Sequence, residues 1–287
     1  MLTVLEILKK TTDFLAGKKV ESPRLSAEWL VGQALGLRRM QLYMQFERLL
    51  SEPELEKIRP LVRRRAAREP LQYILGETEF CGLKLKCDRR ALIPRPETEY
   101  LVELILARFS PTETANVLDL GTGTGALALA MAQALPTVRV TAVDASPDAL
   151  ALARENAEST GLSGRVTFRV SDWYTAIPPG ERFDLVVSNP PYLTGEEVAS
   201  AMPEVRDFEP HSALIGREDG SGDLQQILRD AGNWLVPGGL IALETGPEQH
   251  AALKTVAHAS GFEGFESATD LTGRDRYVFA RSRRPAE

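Results

Sequence analysis

Apolar residues in the first eighty positions fall at helical spacing, whereas further along the chain they fall in short continuous runs that alternate with helical stretches. Leu5, Leu8 and Leu15 suit one helix face, Leu25, Trp29 and Val31 a second, and Leu55, Ile58, Leu61 and Val62 a later one. Thr3-x-x-Glu6 and Ser51-x-x-Glu54 have the form of capping boxes, Ser22-Pro23 that of an N-cap with proline at the first helical position, and Gly36 that of a helix stop. Pro60 falls inside the later helix, where it removes one backbone donor and is expected to kink it. Glu77-Thr78-Glu79-Phe80 and Leu83-Lys84-Leu85-Lys86 alternate on either side of Cys81-Gly82, which predicts a β-hairpin.

Beyond the hairpin the pattern changes. Val117-Leu118-Asp119-Leu120, Val138–Asp144, Val166–Val170, Phe183–Ser188, Leu240–Glu244 and Arg276–Arg281 read as strands, and helical runs at Tyr100–Leu106 and from Leu127 to Ala134 intervene. Strands that are apolar on both faces, separated by helices, predict a mostly parallel sheet covered on both sides. The 287 residues are enough for two domains. Residues 1–80 carry 14 Lys+Arg and 11 Asp+Glu, net +3, and the remainder carries 20 and 29, net −9. The excess of base concentrates in Arg59, Arg63, Arg64, Arg65 and Arg68, which fits a solvated helix face or a docking surface for an acidic partner or RNA. A chain of net charge −6 lacks the electrostatic footprint of a strong duplex binder, so no stable nucleic-acid partner is expected. Glu6, Lys9, Lys10 and Asp13 interrupt the first segment, and no apolar stretch approaches membrane-spanning length, so a cytoplasmic protein without signal peptide or anchor is expected. Cys81 and Cys87 have neither metal spacing nor histidine partners, and no metal site is indicated.

Two motifs carry chemistry. Asp119-Leu120-Gly121-Thr122-Gly123-Thr124-Gly125 joins a strand to a helix, and its glycines let backbone approach a ligand and expose N–H groups at a helix start. Asp144 ends the next strand twenty-three positions after Gly121, near the spacing at which a carboxylate takes ribose hydroxyls. An adenosine-type cofactor follows, but the glycines fit a dinucleotide as well. The second motif, Asn189-Pro190-Pro191-Tyr192, stops a strand at its carboxyl end, the edge at which open α/β sheets bind ligands. Such a loop suits a planar N–H2 group: the Asn189 side-chain oxygen and the Pro190 carbonyl can accept its hydrogens, Pro191 holds Pro190 extended, and Tyr192 offers a flat face. Hydride transfer requires a proton donor or acceptor beside the carbinol, yet His211, His250 and His258 lie outside both motifs. Methyl transfer to an amine requires none.

In this order the two motifs resemble those of S-adenosylmethionine-dependent amino-methyltransferases. Together with Gln72-Tyr73-Ile74-Leu75-Gly76 and Ile93-Pro94-Arg95-Pro96-Glu97-Thr98-Glu99, they are similar to the PrmC (HemK) family, peptide chain release factor glutamine N5-methyltransferases, over nearly the whole chain. The resemblance implies a Rossmann-like seven-stranded methyltransferase domain over residues 93–287, a β-hairpin linker over 73–92 and an N-terminal helical substrate-docking domain over 1–72. It implies S-adenosylmethionine as cofactor, held by Gly121, Thr122, Gly123, Thr124, Gly125, Asp144, Trp173 and Asn189, and class I release factors as protein partner. Asn189, Pro190 and Tyr192 would be catalytic, and with Pro191 would hold the glutamine amide. Trp173 beside Asp172 also reads as a core aromatic after a strand-end polar residue, and Asp119 as either an orienter of the cofactor or a cap on the loop. The segments Phe208-Glu209-Pro210, Ala213–Gly216 and Asp219–Gly222 would shape the substrate entrance, and Arg274 and Arg276 read by default as surface ion-pairing residues, with contact to the substrate backbone as the alternative. The competing enzyme reading is an RNA or DNA exocyclic-amine methyltransferase, in which the base is extruded onto Tyr192. A binding module with an idle cofactor site, whose helical part acts as a translation-factor adaptor, is the reading from another class.

Overall fold

Continuous apolar strands pack on both faces, and in the structure, a computed structural model that describes residues 2–109, 111 and 113–283, they form one seven-stranded sheet. The chain divides into two compact units: Met1–Glu77 with Met202–Phe208, and Thr78–Ala201 with Glu209–Glu287.

The first unit contains α1 (Val4–Gly17), α2 (Pro23–Leu35), α3 (Arg39–Met44), α4 (Glu52–Ala66) and α5 (Leu71–Leu75). Thr3 caps α1 with the reciprocal Glu6 contact, and Gly36 closes α2 in the left-handed conformation. Ser22 itself takes a left-handed backbone and its side chain caps nothing, so the start of α2 rests on Pro23. The buried face of α1 is Val4, Leu8, Thr11 and Leu15, leaving Leu5 exposed; in α2 it is Ala27, Leu30 and Val31, leaving Leu25 and Trp29 exposed. Apolar residues surround α2 on several sides, so their spacing alone did not select the face; small side chains at Ser26, Ala27 and Gly32 mark the side that packs. Helix α4 continues through Pro60. Helix α5 runs through residues 73–75 of the span 73–92 given to the linker, and the hairpin falls where the alternation placed it, as β1 (Glu77–Phe80) and β2 (Leu83–Lys86) joined by Cys81 and Gly82 with both φ angles positive.

The arginine cluster of α4 is largely paired. Glu204, buried in the short segment that the later chain returns to this unit, accepts from Arg65 Nη1 at 2.8 Å and from Arg68 Nε and Nη2 at 2.8 and 2.6 Å. Arg64 pairs with Glu69, and Arg59 with Glu52. Arg59, Arg63 and Arg64 fit the solvated face, whereas Arg65 and Arg68 turn to a partner more than 130 positions away in sequence.

In the second unit, α6 (Pro96–Arg108) precedes β3 (Asn116–Leu120), α7 (Ala126–Ala134), β4 (Arg139–Asp144), α8 (Pro147–Ser159), β5 (Val166–Val170) and β6 (Phe183–Ser188). After α9 (Gly195–Ser200) and, in the first unit, α10 (Pro203–Arg206), the chain continues through α11 (Gly222–Ala231), β7 (Leu235–Glu244), α12 (His250–Ala259), β8 (Phe262–Thr269) and β9 (Asp275–Ser282). The strand order is β5-β4-β3-β6-β7-β9-β8, parallel except for β9, which runs antiparallel to both neighbours. Strand β8 escaped the sequence pattern: Phe262-Glu-Gly-Phe-Glu-Ser-Ala-Thr is mostly polar, with register shifts and a left-handed Gly264, as an edge strand tolerates. Alternate residues of each central strand serve opposite cores. Val117, Leu185 and Leu240 pack with α6 and α7, and Leu118, Val186 and Ile241 with α11 and α12.

Strand β3 is the topological switch point, with β4 on one side and β6 on the other, so the loops after β3 and β6 diverge and leave a crevice at their carboxyl ends. Leu118 lies fully buried on that strand. Leu118→Ala is expected to destabilise the second unit by roughly 2–5 kcal/mol, read by urea unfolding followed through Trp234; an unchanged midpoint would show that the site collapses without loss.

Candidate active site

Register sets the site. Asp119 pairs with Val187 and Leu120 with Ser188, whose hydroxyl donates to the Leu120 carbonyl at 2.7 Å, so the glycine loop and the Asn-Pro-Pro-Tyr loop leave the sheet at one level. Between them opens a cavity of about 810 Å³ lined by Gly121, Thr122, Gly123, Thr124, Asp144, Asp172, Trp173, Asn189 and Pro191, among others. Of the residues singled out in the sequence, Gly125, Pro190 and Tyr192 do not line it.

The glycine loop is held from within. Asp119 is fully buried, and its Oδ2 accepts from the Thr122 hydroxyl at 2.6 Å and from the Ala128 N–H at 3.1 Å. It therefore caps the loop and α7, and it does not line the cavity. Among the described residues its other oxygen finds no partner, and burial raises the carboxyl to about 7. The Thr122 N–H donates to Val143 O, the Gly123 N–H to Asp144 Oδ2 and the Gly125 N–H to Thr122 O. These three amides are spent within the protein and are not available to a pyrophosphate. Gly125 serves packing: a Cβ there would sit 3.2 Å from Ala153 Cβ on α8.

What remains fits an adenosyl group. Asp144 holds the Gly123 and Ser146 N–H groups at 2.8 and 2.9 Å, and carboxylate lone pairs remain at the cavity wall for ribose hydroxyls. Desolvation raises the Asp144 carboxyl above its ordinary range. The Trp173 ring lies over Gly121, 3.4 Å from where a Cβ would stand, and its indole N–H donates to Asp223 at 3.2 Å. Asp223 also holds the Arg217 N–H at 2.9 Å. Trp173 is thus half-buried, at the cavity wall and against the core on that face, and Asp172 beside it is exposed to the cavity.

On the opposite wall, Asn189 donates through Nδ2 to the Thr98 hydroxyl at 3.0 Å, and Thr98 donates to Glu244 Oε2 at 2.7 Å. Asn189 Oδ1 takes no hydrogen bond from the described residues and is left as an acceptor at the cavity. The Tyr192 hydroxyl donates to Glu244 Oε1 at 3.3 Å and accepts from Arg276 Nη1 at 3.0 Å. Burial and the Glu244 charge raise the Tyr192 phenol, and burial likewise raises Glu244. Arg276 is therefore an interior partner of the loop, in place of the surface pairing expected for it, and its Nε lies 3.6 Å from Asp270. The backbone behind the loop is clamped: Gln249 Nε2 donates to the carbonyls of Tyr192 and Gly220 at 3.0 and 2.9 Å, and Leu193 bridges in parallel to Ile215. Gly220 permits this approach, because a Cβ there would lie 2.4 Å from the Tyr192 carbonyl. None of the three histidines lines the cavity.

Residues 6–76 match the model of the PrmC N-terminal domain, and residues 98–205 that of the methyltransferase small domain. A release factor glutamine methyltransferase of Geobacter sulfurreducens is 43% identical over 279 residues, 97% of this chain and 96% of the relative. One of Deinococcus radiodurans is 41% identical, with 96% and 97% covered, and one of Vibrio cholerae 38%, with 98% and 97%. The chain belongs to the release factor glutamine methyltransferase family.

Solved structures support the family's fold. A Thermus thermophilus 16S rRNA N2 G1207 methyltransferase in complex with AdoMet and guanosine superposes with a TM-score of 0.54 at 22% identity, covering 72% of this chain and 50% of that one. A Pyrococcus furiosus methyltransferase gives 0.54 at 20%, covering 70% and 90%. The resemblance seen in the sequence is thus to the right family, and the seven-stranded methyltransferase fold is present. In this family member, sequence reasoning missed Thr98, Glu244 and Asp223 as parts of the site. Thr98 lies inside the Ile93–Glu99 motif, but Glu244 and Asp223 carried no local signal; they meet the site only because β7 ends and α11 begins beside it.

The raised Asp119 carboxyl has a consequence for stability. The folded protein keeps a proton that the unfolded chain, with a carboxyl near about 4, releases between about pH 4 and 7. Unfolding free energy falls as pH rises through that window, so this contribution is full below about pH 4 and lost above about 7. Asp119→Asn, which cannot titrate, should flatten that part of the urea midpoint against pH; a profile identical to the parent's would exclude Asp119 as its source.

Proposed function

We propose that the chain methylates the side-chain amide nitrogen of the glutamine in the Gly-Gly-Gln motif of class I release factors, in the cytoplasm, with S-adenosylmethionine as methyl donor. The observation that carries the reading is the Asn189 side chain: its amide is tethered to Thr98, and its oxygen stands at the cavity as an acceptor for an N–H. The names of relatives that span nearly the full chain support the same substrate. No helix among the described residues is long and apolar enough to cross a membrane.

When bound, S-adenosylmethionine supplies a methyl group already activated by its sulfonium. The protein's own contribution is alignment and electrostatics. Gly121, Thr122, Gly123 and Thr124 with Trp173 hold the adenosine end, Asp144 takes the ribose, and Gly125 keeps the loop against α8. An amide nitrogen is a weak nucleophile because its lone pair is delocalised. The acceptor at Asn189 Oδ1 draws on one of its hydrogens and favours the positive character that nitrogen gains as it attacks. Pro191 shapes the wall, and the Tyr192 ring, pinned through its hydroxyl, backs the loop. Proton loss after transfer requires no general base, in keeping with a cavity that no histidine lines. The helical unit serves to dock the release factor.

Labelled methyl transfer to a purified class I release factor, beside its motif Gln→Ala variant and total RNA and DNA, tests the reading. Label on the intact factor alone is expected; label on nucleic acid alone would replace the substrate by an exocyclic amine. Asn189→Ala should lower kcat by about 10²-fold or more while the cofactor Kd changes little. Asp144→Ala should act in the opposite sense, raising the cofactor Kd, and an unchanged Kd would remove Asp144 from the ribose.

A further inference from the structure

An asparagine side chain can present either an acceptor or a donor to a ligand, since its two ends have nearly the same shape. At Asn189 the choice follows from a chain of groups whose polarity is forced from the far end. Arg276 can only donate, so the Tyr192 oxygen accepts from it at 3.0 Å and the phenolic proton turns to Glu244. With its carboxyl ionised, Glu244 accepts on both oxygens, from Tyr192 at 3.3 Å and from Thr98 at 2.7 Å. Thr98 has one hydroxyl proton, already committed to Glu244, so toward Asn189 it can only accept, and it takes the Nδ2 hydrogen at 3.0 Å. The outward end of Asn189 is then the oxygen.

Burial makes the chain directional. Glu244 is 2% exposed and Thr98 5%. Glu244 does not line the cavity and cannot exchange its partners for water, and a turned Asn189 would set its oxygen against the Thr98 lone pairs and leave two hydrogens facing the ligand.

We infer that Arg276, Tyr192, Glu244 and Thr98 form a polarity relay that fixes Asn189 as an acceptor, making Thr98 and Glu244 positioning residues through which the site selects an amide and rejects the isosteric carboxylate. The inference rests on the glutamine reading above and adds the source of its selectivity. A glutamine side chain brings N–H donors to the Asn189 oxygen; a glutamate of the same shape brings only lone pairs. A site built to hydrogen-bond an N–H discriminates strongly against an analogue that lacks it.

The test uses the full chain, a class I release factor and the same factor with its motif Gln→Glu as a competitive inhibitor. For the parent enzyme, the Glu form should compete far more weakly than the Gln form binds. Thr98→Val keeps the shape and removes the hydroxyl. It should lower kcat by about 10–100-fold, leave the cofactor Kd within about twofold, and narrow the Gln/Glu gap by about tenfold. Thr98→Ser, which restores the hydroxyl, should recover both. Glu244→Gln, whose amide can donate as well as accept, should narrow the gap in the same way. Parent-like kcat and selectivity in Thr98→Val, or equal loss in Thr98→Ser and Thr98→Val, would overturn the relay. Absence of methyl transfer by the parent enzyme to the Gln form would instead overturn the glutamine reading on which it rests.

Discussion

The parallel pairing of β3 with β6 is the constraint on which the site depends. It aligns Leu120 with Ser188, so two loops that leave the sheet in opposite directions begin at one level. The glycine loop turns into α7 and the Asn-Pro-Pro-Tyr loop turns away toward α9, and the cavity is the space their divergence leaves. A one-residue slip would send Leu118 and Val186 to the opposite core and displace both loops, which the two apolar faces of each central strand oppose strongly.

Burial gives that crevice its chemical character. Asp119, Glu244 and Thr98 are all buried, and each is tied to a group that positions something else: Asp119 to the turn of the glycine loop, Glu244 and Thr98 to the orientation of Asn189. The cost of burying carboxyls appears as their raised proton affinity. The return is an arrangement that exists before ligand arrives, which is what methyl transfer to a weak nucleophile requires. Tyr192 illustrates the division of labour: its hydroxyl faces Arg276 and Glu244, so its contribution to the loop is made from behind.

The helical unit follows the same logic on a different scaffold. Its arginines look from the sequence like a free basic patch, yet Arg65 and Arg68 close around Glu204, a buried carboxylate that would otherwise be unpaired. The chain crosses from the second unit into the first and back through Met202–Phe208, so this ion pair anchors a segment that follows α9.

Local rules were enough for much of the molecule. Six of the seven sheet strands, the left-handed turn at Cys81-Gly82, the capping of α1 and the Gly36 stop all follow from short-range sterics and hydrogen bonding, and were legible as such. The glycine loop, Asp144 and Asn189 were legible too, because each stands at a strand's end with a recognisable neighbour pattern. What the tertiary structure alone decided are partnerships between distant positions: Glu204 with Arg65, Glu244 with Thr98, Asp223 with Trp173, and the inward turn of Tyr192 and Arg276. Edge strand β8 belongs with these, since an edge imposes little on its own sequence. The physical reason is common to all. A polar side chain's partner is chosen by which elements the sheet order brings alongside it, and that order is a property of the folded sheet, not of any window of residues along the chain.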